Sequence, residues 1–142
     1  MSLNVFVNFN GNCRDAVEFY AEVFDNQQPQ IMSFKDAPQN PEHHPLPEEA
    51  QNLVMFSSLK ISGSDIMFSD TFPGMPYIAG NNISLTVVDE DVEKLKTYFN
   101  KIKVGGTVEM ELQETFWSKC YGMVTDKFGI PWQFSHAGEE RN

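Results

Sequence analysis

The sequence predicts an α+β fold of two βαβββ modules, forming a curved mixed sheet around a cleft with the helices on the outer face. Three observations carry this expectation. Residues 4–9 divide their side chains between two faces with a period of two, one face wholly apolar, and residues 16–24 then repeat apolar side chains at helical spacing. Several short strands punctuated by glycine and proline follow. The same order of elements then returns in the second half of the chain.

In the first strand Val5, Val7 and Phe9 share one face, and Asn4, Phe6 and Asn8 the other. Asn10-Gly11-Asn12 breaks it. Asn12 is placed to cap a helix in which Ala16, Val17, Phe19, Tyr20, Val23 and Phe24 form the apolar stripe. A strand is expected over 27–36. The stretch 36–51, with four prolines and adjacent His43 and His44, reads as a loop. Strands over 53–61 and 65–69 join at a tight Ser62-Gly63-Ser64 hairpin. Residues 71–81 are a connector rich in glycine and proline.

From residue 82 the pattern restarts. Ile83, Leu85 and Val87 share a strand face, Asp89 is placed to cap a helix carrying Val92, Leu95, Tyr98, Phe99 and Ile102, and Gly105-Gly106 ends it. Strands over about 107–113, 116–125 and 130–135 follow, the last two joined by Asp126-Lys127-Phe128-Gly129. An offset of 78 lays Val5 on Ile83, Val17 on Leu95 and Tyr20 on Tyr98; an offset of 66 lays Ile66 on Trp132 and Phe68 on Phe134. We therefore expect one 142-residue domain, with module one over about 3–70, the connector over 71–81 and module two over about 82–136.

Charge and composition exclude several classes. Apolar residues make up 41% of the chain and aromatic residues 13%, enough for a core rather than a disordered chain. A net charge of -10 repels phosphate backbones and anionic lipid, so neither nucleic acid nor membrane is an expected partner. No apolar run reaches spanning length, and the first residues lack the pattern of a signal peptide. Cys13 and Cys120 have no metal-type spacing and read as reduced thiols, which suits a cytoplasmic protein.

If the strand faces of Val5 and Leu85 lie under the helices, the opposite faces line the cleft. These present Asn4, Phe6 and Asn8, then Asn82, Ser84 and Thr86, together with Met67, Ser69, Gln133 and Ser135. Trp117, Lys119 and Tyr121 are expected on one strand face. There Trp117 and Tyr121 either wall the cleft for a flat ligand or pack in an ordinary core or interface. His43, His44 and His136 read as solvated side chains rather than metal ligands, and Asp126 as a turn-former rather than an acid. The carboxylates of Asp89, Glu90, Asp91 and Glu93 suit a helix start and form no catalytic pair.

The segments FNGNCRDAVEFYAEVF, SGSDIMFSD, SLTVVDEDVEKL and TFWSKCYGMVTDKFGIPWQF resemble the PhnB-like branch of the vicinal oxygen chelate superfamily, home of glyoxalase I, extradiol dioxygenases and bleomycin-resistance proteins. The resemblance spans nearly the whole chain and implies the βαβββ repeat, with pairing of modules into a homodimer. The branch carries a demethylubiquinone methyltransferase-like label, yet no glycine-rich turn built for a methyl donor follows the first strand. Superfamily enzymes hold a divalent metal at four strand positions, which correspond here to Asn4, about Met67, Asn82 and Gln133. Two amides, a thioether and a third amide replace the usual imidazoles and carboxylates, and Phe56 stands where relatives often have a histidine. The expectation is a binding protein with no metal and no cofactor, whose small-molecule site draws on Asn4, Phe6, Asn8, Met67, Asn82, Ser84, Thr86, Trp117, Tyr121 and Gln133. A metal-dependent glyoxalase- or dioxygenase-like enzyme is the alternative.

Overall fold

The computed structural model describes residues 1–25, 27–38 and 45–138. The expectation for His43 and His44 therefore lies outside the described residues. The chain divides into two compact units, Met1–Ile78 and Ala79–Asn142. Each is a βαβββ module with one helix and a four-stranded mixed sheet, so the α+β fold is the one the repeat predicts.

In the first unit the elements are β1 (Val5–Phe9), α1 (Cys13–Val23), β2 (Gln30–Ser33), β3 (Val54–Ile61) and β4 (Ser64–Asp70). The sheet order is β1-β4-β3-β2, with β1 parallel to β4 and the other pairs antiparallel. Short connections make β3 and β4 antiparallel neighbours, whereas the helix crossover lets β1 run parallel to its partner. The strand expected over 27–36 is shorter than that, because Phe34–Asp36 forms a 3-10 turn. A second such turn, Glu48–Ala50, lies where only loop was expected, and it buries Ala50 completely. At the hairpin, Ser62 and Gly63 both have positive φ, 48° and 85°, as the tight primed turns between twisted strands require.

The second unit repeats this with β5 (Leu85–Asp89), α2 (Val92–Ile102), β6 (Thr107–Gln113), β7 (Tyr121–Thr125) and β8 (Pro131–His136), in the order β5-β8-β7-β6. Each helix covers one face of its own sheet. Tyr20 of α1 packs on Phe68, with ring centroids 5.7 Å apart, and Phe99 of α2 meets Phe134 edge-on at 5.7 Å. The matched pairs Phe68 and Phe134, and Val17 and Leu95, are all fully buried, which is what an apolar stripe facing an apolar sheet face gains by folding. Gly122 on β7 lets α2 approach: a Cβ there would lie 3.1 Å from Phe99 Cε2 and 2.9 Å from Leu112 Cδ2.

Several details differ from the sequence reading. The ladders pair Val5 with Ile66 and Leu85 with Trp132, so Val5 corresponds to Leu85 rather than Ile83. Ile83 precedes the strand and is 73% exposed instead of lying under the helix. The offset of 78 holds for the helix stripe but not for the strand, because the turn between them differs in length in the two units. The helix caps also change. Asn12 makes no side-chain cap, and the Cys13 N–H at the start of α1 donates instead to Asp70 of β4. In the second unit Asp91, not Asp89, caps the helix, accepting from the N–H groups of Glu93 and Lys94.

Candidate functional site

The face of each sheet opposite its helix carries the residues expected to recognise a ligand. In the first unit Phe6, Met67, Ser58 and Gln30 form one cross-strand row. In the adjacent row Asn8 pairs with Ser69, whose hydroxyl donates to Asn8 Oδ1 at 2.8 Å, and Met32 pairs with Phe56. Phe6 and Phe56 sit with centroids 6.4 Å apart, both exposed. Beside them a cavity of about 610 Å³ is lined by Gln28, Gln30, Ile31, Met32, Phe56 and Ser58. The sequence reading missed Gln30, Met32 and Ser58, although their parity within β2 and β3 places them on this face. Asn4 lies just before β1, exposed, and accepts from Ser2 Oγ at 3.4 Å.

The second unit holds the better organised site. Tyr121, at the start of β7, donates its phenol proton to Gln133 Oε1 at 2.6 Å, and Gln133 Nε2 on β8 donates to Ser84 Oγ at 2.9 Å. Thr86 lies beside Gln133 in the ladder. Trp117 is not on a strand, contrary to expectation, because β7 begins only at Tyr121. The preceding loop closes on itself: Thr115 N–H donates to the Ser118 carbonyl at 2.8 Å, and Ser118 N–H donates to Thr115 Oγ1 at 3.1 Å. These local bonds satisfy the backbone without a strand partner. They leave Trp117 51% exposed, edge-on to Tyr121 with centroids 5.3 Å apart and to Phe116 at 4.7 Å. This exposure rules out core packing for Trp117 and leaves its ring open to a ligand or to an interface. Asn82 precedes β5, is exposed, and lies apart from this hydrogen-bonded chain of side chains.

The remaining candidates are structural. Asp126 accepts from the N–H groups of Phe128 and Ile130 through one oxygen, and from Trp132 Nε1 through the other at 2.9 Å, so it builds the turn as expected. Asp70 plays a comparable part that the sequence reading overlooked. Buried at 4% exposure, its carboxylate accepts from the N–H groups of Gly11, Cys13 and Val54. His136 is not the solvated side chain expected: Nε2 contacts the Glu90 carbonyl at 2.9 Å, while Nδ1 is buried and has no hydrogen-bond partner among the described residues. Cys13 is fully buried and its thiol pKa is pushed up to about 12, chiefly by burial and secondarily by the Asp70 charge, against a smaller opposing pull from Arg14. Cys120 precedes β7 rather than lying in it, and burial raises its pKa as well. Burial thus favours the protonated thiol at both positions.

With this geometry in place, comparison with known proteins is decisive. Residues 2–135 match the model of a family described as 3-demethylubiquinone-9 3-methyltransferase. The chain belongs to this family. It is 33% identical over 144 residues to Protein YjdN of Escherichia coli strain K12, with 95% of each chain covered. Among solved structures, this family member is similar to protein PA1353 from Pseudomonas aeruginosa, with 28% identity, TM-score 0.83 and coverage of 96% and 97%. It is also similar to a PhnB protein from Bacillus cereus described as a putative 3-demethylubiquinone-9 3-methyltransferase, with 27% identity, TM-score 0.72 and coverage of 96% and 100%. A glyoxalase/bleomycin resistance protein/dioxygenase family enzyme from Burkholderia phytofirmans shares the fold at 15% identity and TM-score 0.61, covering 94% of this chain and 95% of its own. The chain is thus PhnB-like, with the fold of the glyoxalase/bleomycin resistance protein/dioxygenase family.

Neither group implied by these relationships fits the residues present. A methyl donor of nucleotide type needs free backbone N–H groups at a strand-to-helix turn. Here those of Gly11 and Cys13 are held by Asp70, and those of Glu93 and Lys94 by Asp91. At the superfamily's metal positions, Gln133 already has both amide atoms engaged, and Asn4, Met67 and Asn82 supply no imidazole or anionic oxygen. The corrected strand register also puts Ser84, not Asn82, opposite Asn4 in the repeat.

Proposed function

We propose that this protein binds a small molecule without a divalent metal, at the open face of the second unit's sheet. One observation carries the reading: Trp117, half exposed, stands edge-on over Tyr121, whose hydroxyl is held by the Gln133–Ser84 pair. An exposed aromatic side chain above fixed, uncharged hydrogen-bonding groups suits recognition by stacking and directional hydrogen bonds.

Fluorescence tests this directly, because the two tryptophans differ in access. Trp132 is 2% exposed and should be shielded from acrylamide, whereas Trp117 should be quenched freely. A ligand from a screen of flat polar compounds is expected to protect Trp117, and Trp117→Ala should weaken its binding by about 1–3 kcal/mol. Ligands that bind with unchanged affinity to the Trp117→Ala protein would place recognition elsewhere.

The protein works as a homodimer in the cytoplasm on this reading. Ile78, Ile83 and Phe116 are 91%, 73% and 86% exposed, apolar surface that a second copy would cover, and the two buried free thiols suit a reducing compartment. Among the described residues no helix is long and apolar enough to cross a membrane. Sedimentation at tens of micromolar should give twice the chain mass; a monomer at that concentration contradicts the dimer.

A further inference from the structure

We propose that the ligand of this site is a neutral, planar molecule with a hydrogen-bond donor at one end and an acceptor at the other. The inference rests on the binding reading above and names the class of ligand for the same site. It follows from the direction of the hydrogen-bond chain. Tyr121 spends its only proton on Gln133 Oε1, so its oxygen faces a ligand with lone pairs alone. Ser84 Oγ has accepted from Gln133 Nε2 and keeps its own proton for an outside acceptor. The two ends of the chain are therefore unlike: an acceptor at Tyr121, beside the Trp117 ring, and a donor at Ser84.

The Gln133 side chain enforces the difference. Its amide has one carbonyl and one NH₂, so one hydroxyl must donate to it and the other accept from it; with Oε1 on Tyr121 and Nε2 on Ser84, the two ends are polarised in the same sense. Charge is missing where it would matter. The ladder row through Thr86, Gln133 and Met123 and the row through Ser135 and Tyr121 contain no carboxylate, ammonium or guanidinium. Glu109 is engaged with Thr125 Oγ1 at the other end of β7, and Lys119 is exposed on the loop, where solvent screens it. A carboxylate or phosphate ligand would lose its hydration here without gaining a fixed cation. A neutral ring loses little and gains the aromatic contact.

Two probes of the same flat shape separate the possibilities: 4-quinolone, neutral with N–H and C=O at opposite ends of one ring, and 2-naphthoate, an anion with no donor. Each is titrated by calorimetry, with protection of Trp117 from acrylamide as the second readout. The expected result is that 4-quinolone binds and protects Trp117, while 2-naphthoate binds at least about tenfold more weakly, the scale of one lost hydrogen bond to a desolvated group. Ser84→Ala should weaken 4-quinolone by about threefold to tenfold. Gln133→Glu should do the same without touching Ser84, because a carboxylate cannot donate and turns the serine proton inward; combining the two substitutions should add little. Tighter binding of 2-naphthoate, or quinolone affinity indifferent to both substitutions, overturns the ligand class while leaving the binding reading in place. If neither probe nor any screened compound protects Trp117, the binding reading falls and the ligand class with it.

Discussion

Asp70→Ala is expected to destabilise the first unit by about 3–5 kcal/mol. The carboxylate is buried at the end of β4 and is the acceptor for three backbone N–H groups, those of Gly11 and Cys13 at 2.9 and 3.0 Å and that of Val54 at 2.9 Å. It thereby ties the start of α1 and the start of β3 to one strand. Alanine would leave these donors unpaired in a place water does not readily reach. Asp70→Asn should cost less, because the amide oxygen still accepts while its NH₂ meets donors rather than acceptors. Urea unfolding followed by circular dichroism measures both. Loss of less than about 1 kcal/mol in the alanine variant would mean the N–H groups find other partners.

The two tryptophans should separate by a similar margin. Trp132 is 2% exposed, stacks near Phe134 with centroids 6.4 Å apart, and donates its indole N–H to buried Asp126. Trp132→Ala should cost about 3–5 kcal/mol, from the lost transfer of a large ring, the cavity left behind and the lost indole hydrogen bond to Asp126. Trp117→Ala should cost no more than about 1 kcal/mol, since half of its surface is already in water and its neighbours Phe116 and Tyr121 keep their backbone positions. Melting curves of the two variants read the contrast. Comparable losses in both would mean that Trp117 is packed as core and is unavailable to a ligand.

How far these features were legible in the sequence depends on whether local pattern or long-range pairing controls them. Alternation in β1 and β8 and the apolar stripes of α1 and α2 are local, so the repeat, the buried Phe68 and Phe134 and the turn at Asp126 could be read directly. The register of β5 could not. Ile83 is as apolar as Leu85, and only pairing with Trp132 on β8 decides which of them enters the strand. Helix capping failed for a related reason: Asn12 has the right chemistry, but the acceptor actually used at Cys13 N–H is a carboxylate 57 residues away in sequence. The loop before β7 was misread as strand because Phe116, Trp117 and Tyr121 suit a strand by propensity. The Thr115 and Ser118 side chains, which bond back to their own backbone, were the available signal. Of the site, Trp117, Tyr121, Gln133 and Ser84 were all visible as candidates, but their assembly into a directed hydrogen-bond chain is a property of the fold alone.

Recognition without a metal is most directly tested by titrating the purified protein with Zn²⁺, Ni²⁺ and Mn²⁺ in a calorimeter. Gln133 is committed at both ends of its amide, and Asn4, Met67 and either Asn82 or the register-matched Ser84 add only neutral donors, without the imidazole or carboxylate of ordinary Zn²⁺, Ni²⁺ and Mn²⁺ sites. The expected result is no stoichiometric heat at micromolar metal, with ligand binding at Trp117 unchanged by a chelator. A tight isotherm of one ion per chain that Gln133→Ala abolishes would contradict it and return the protein to the metal-dependent enzymes of its superfamily.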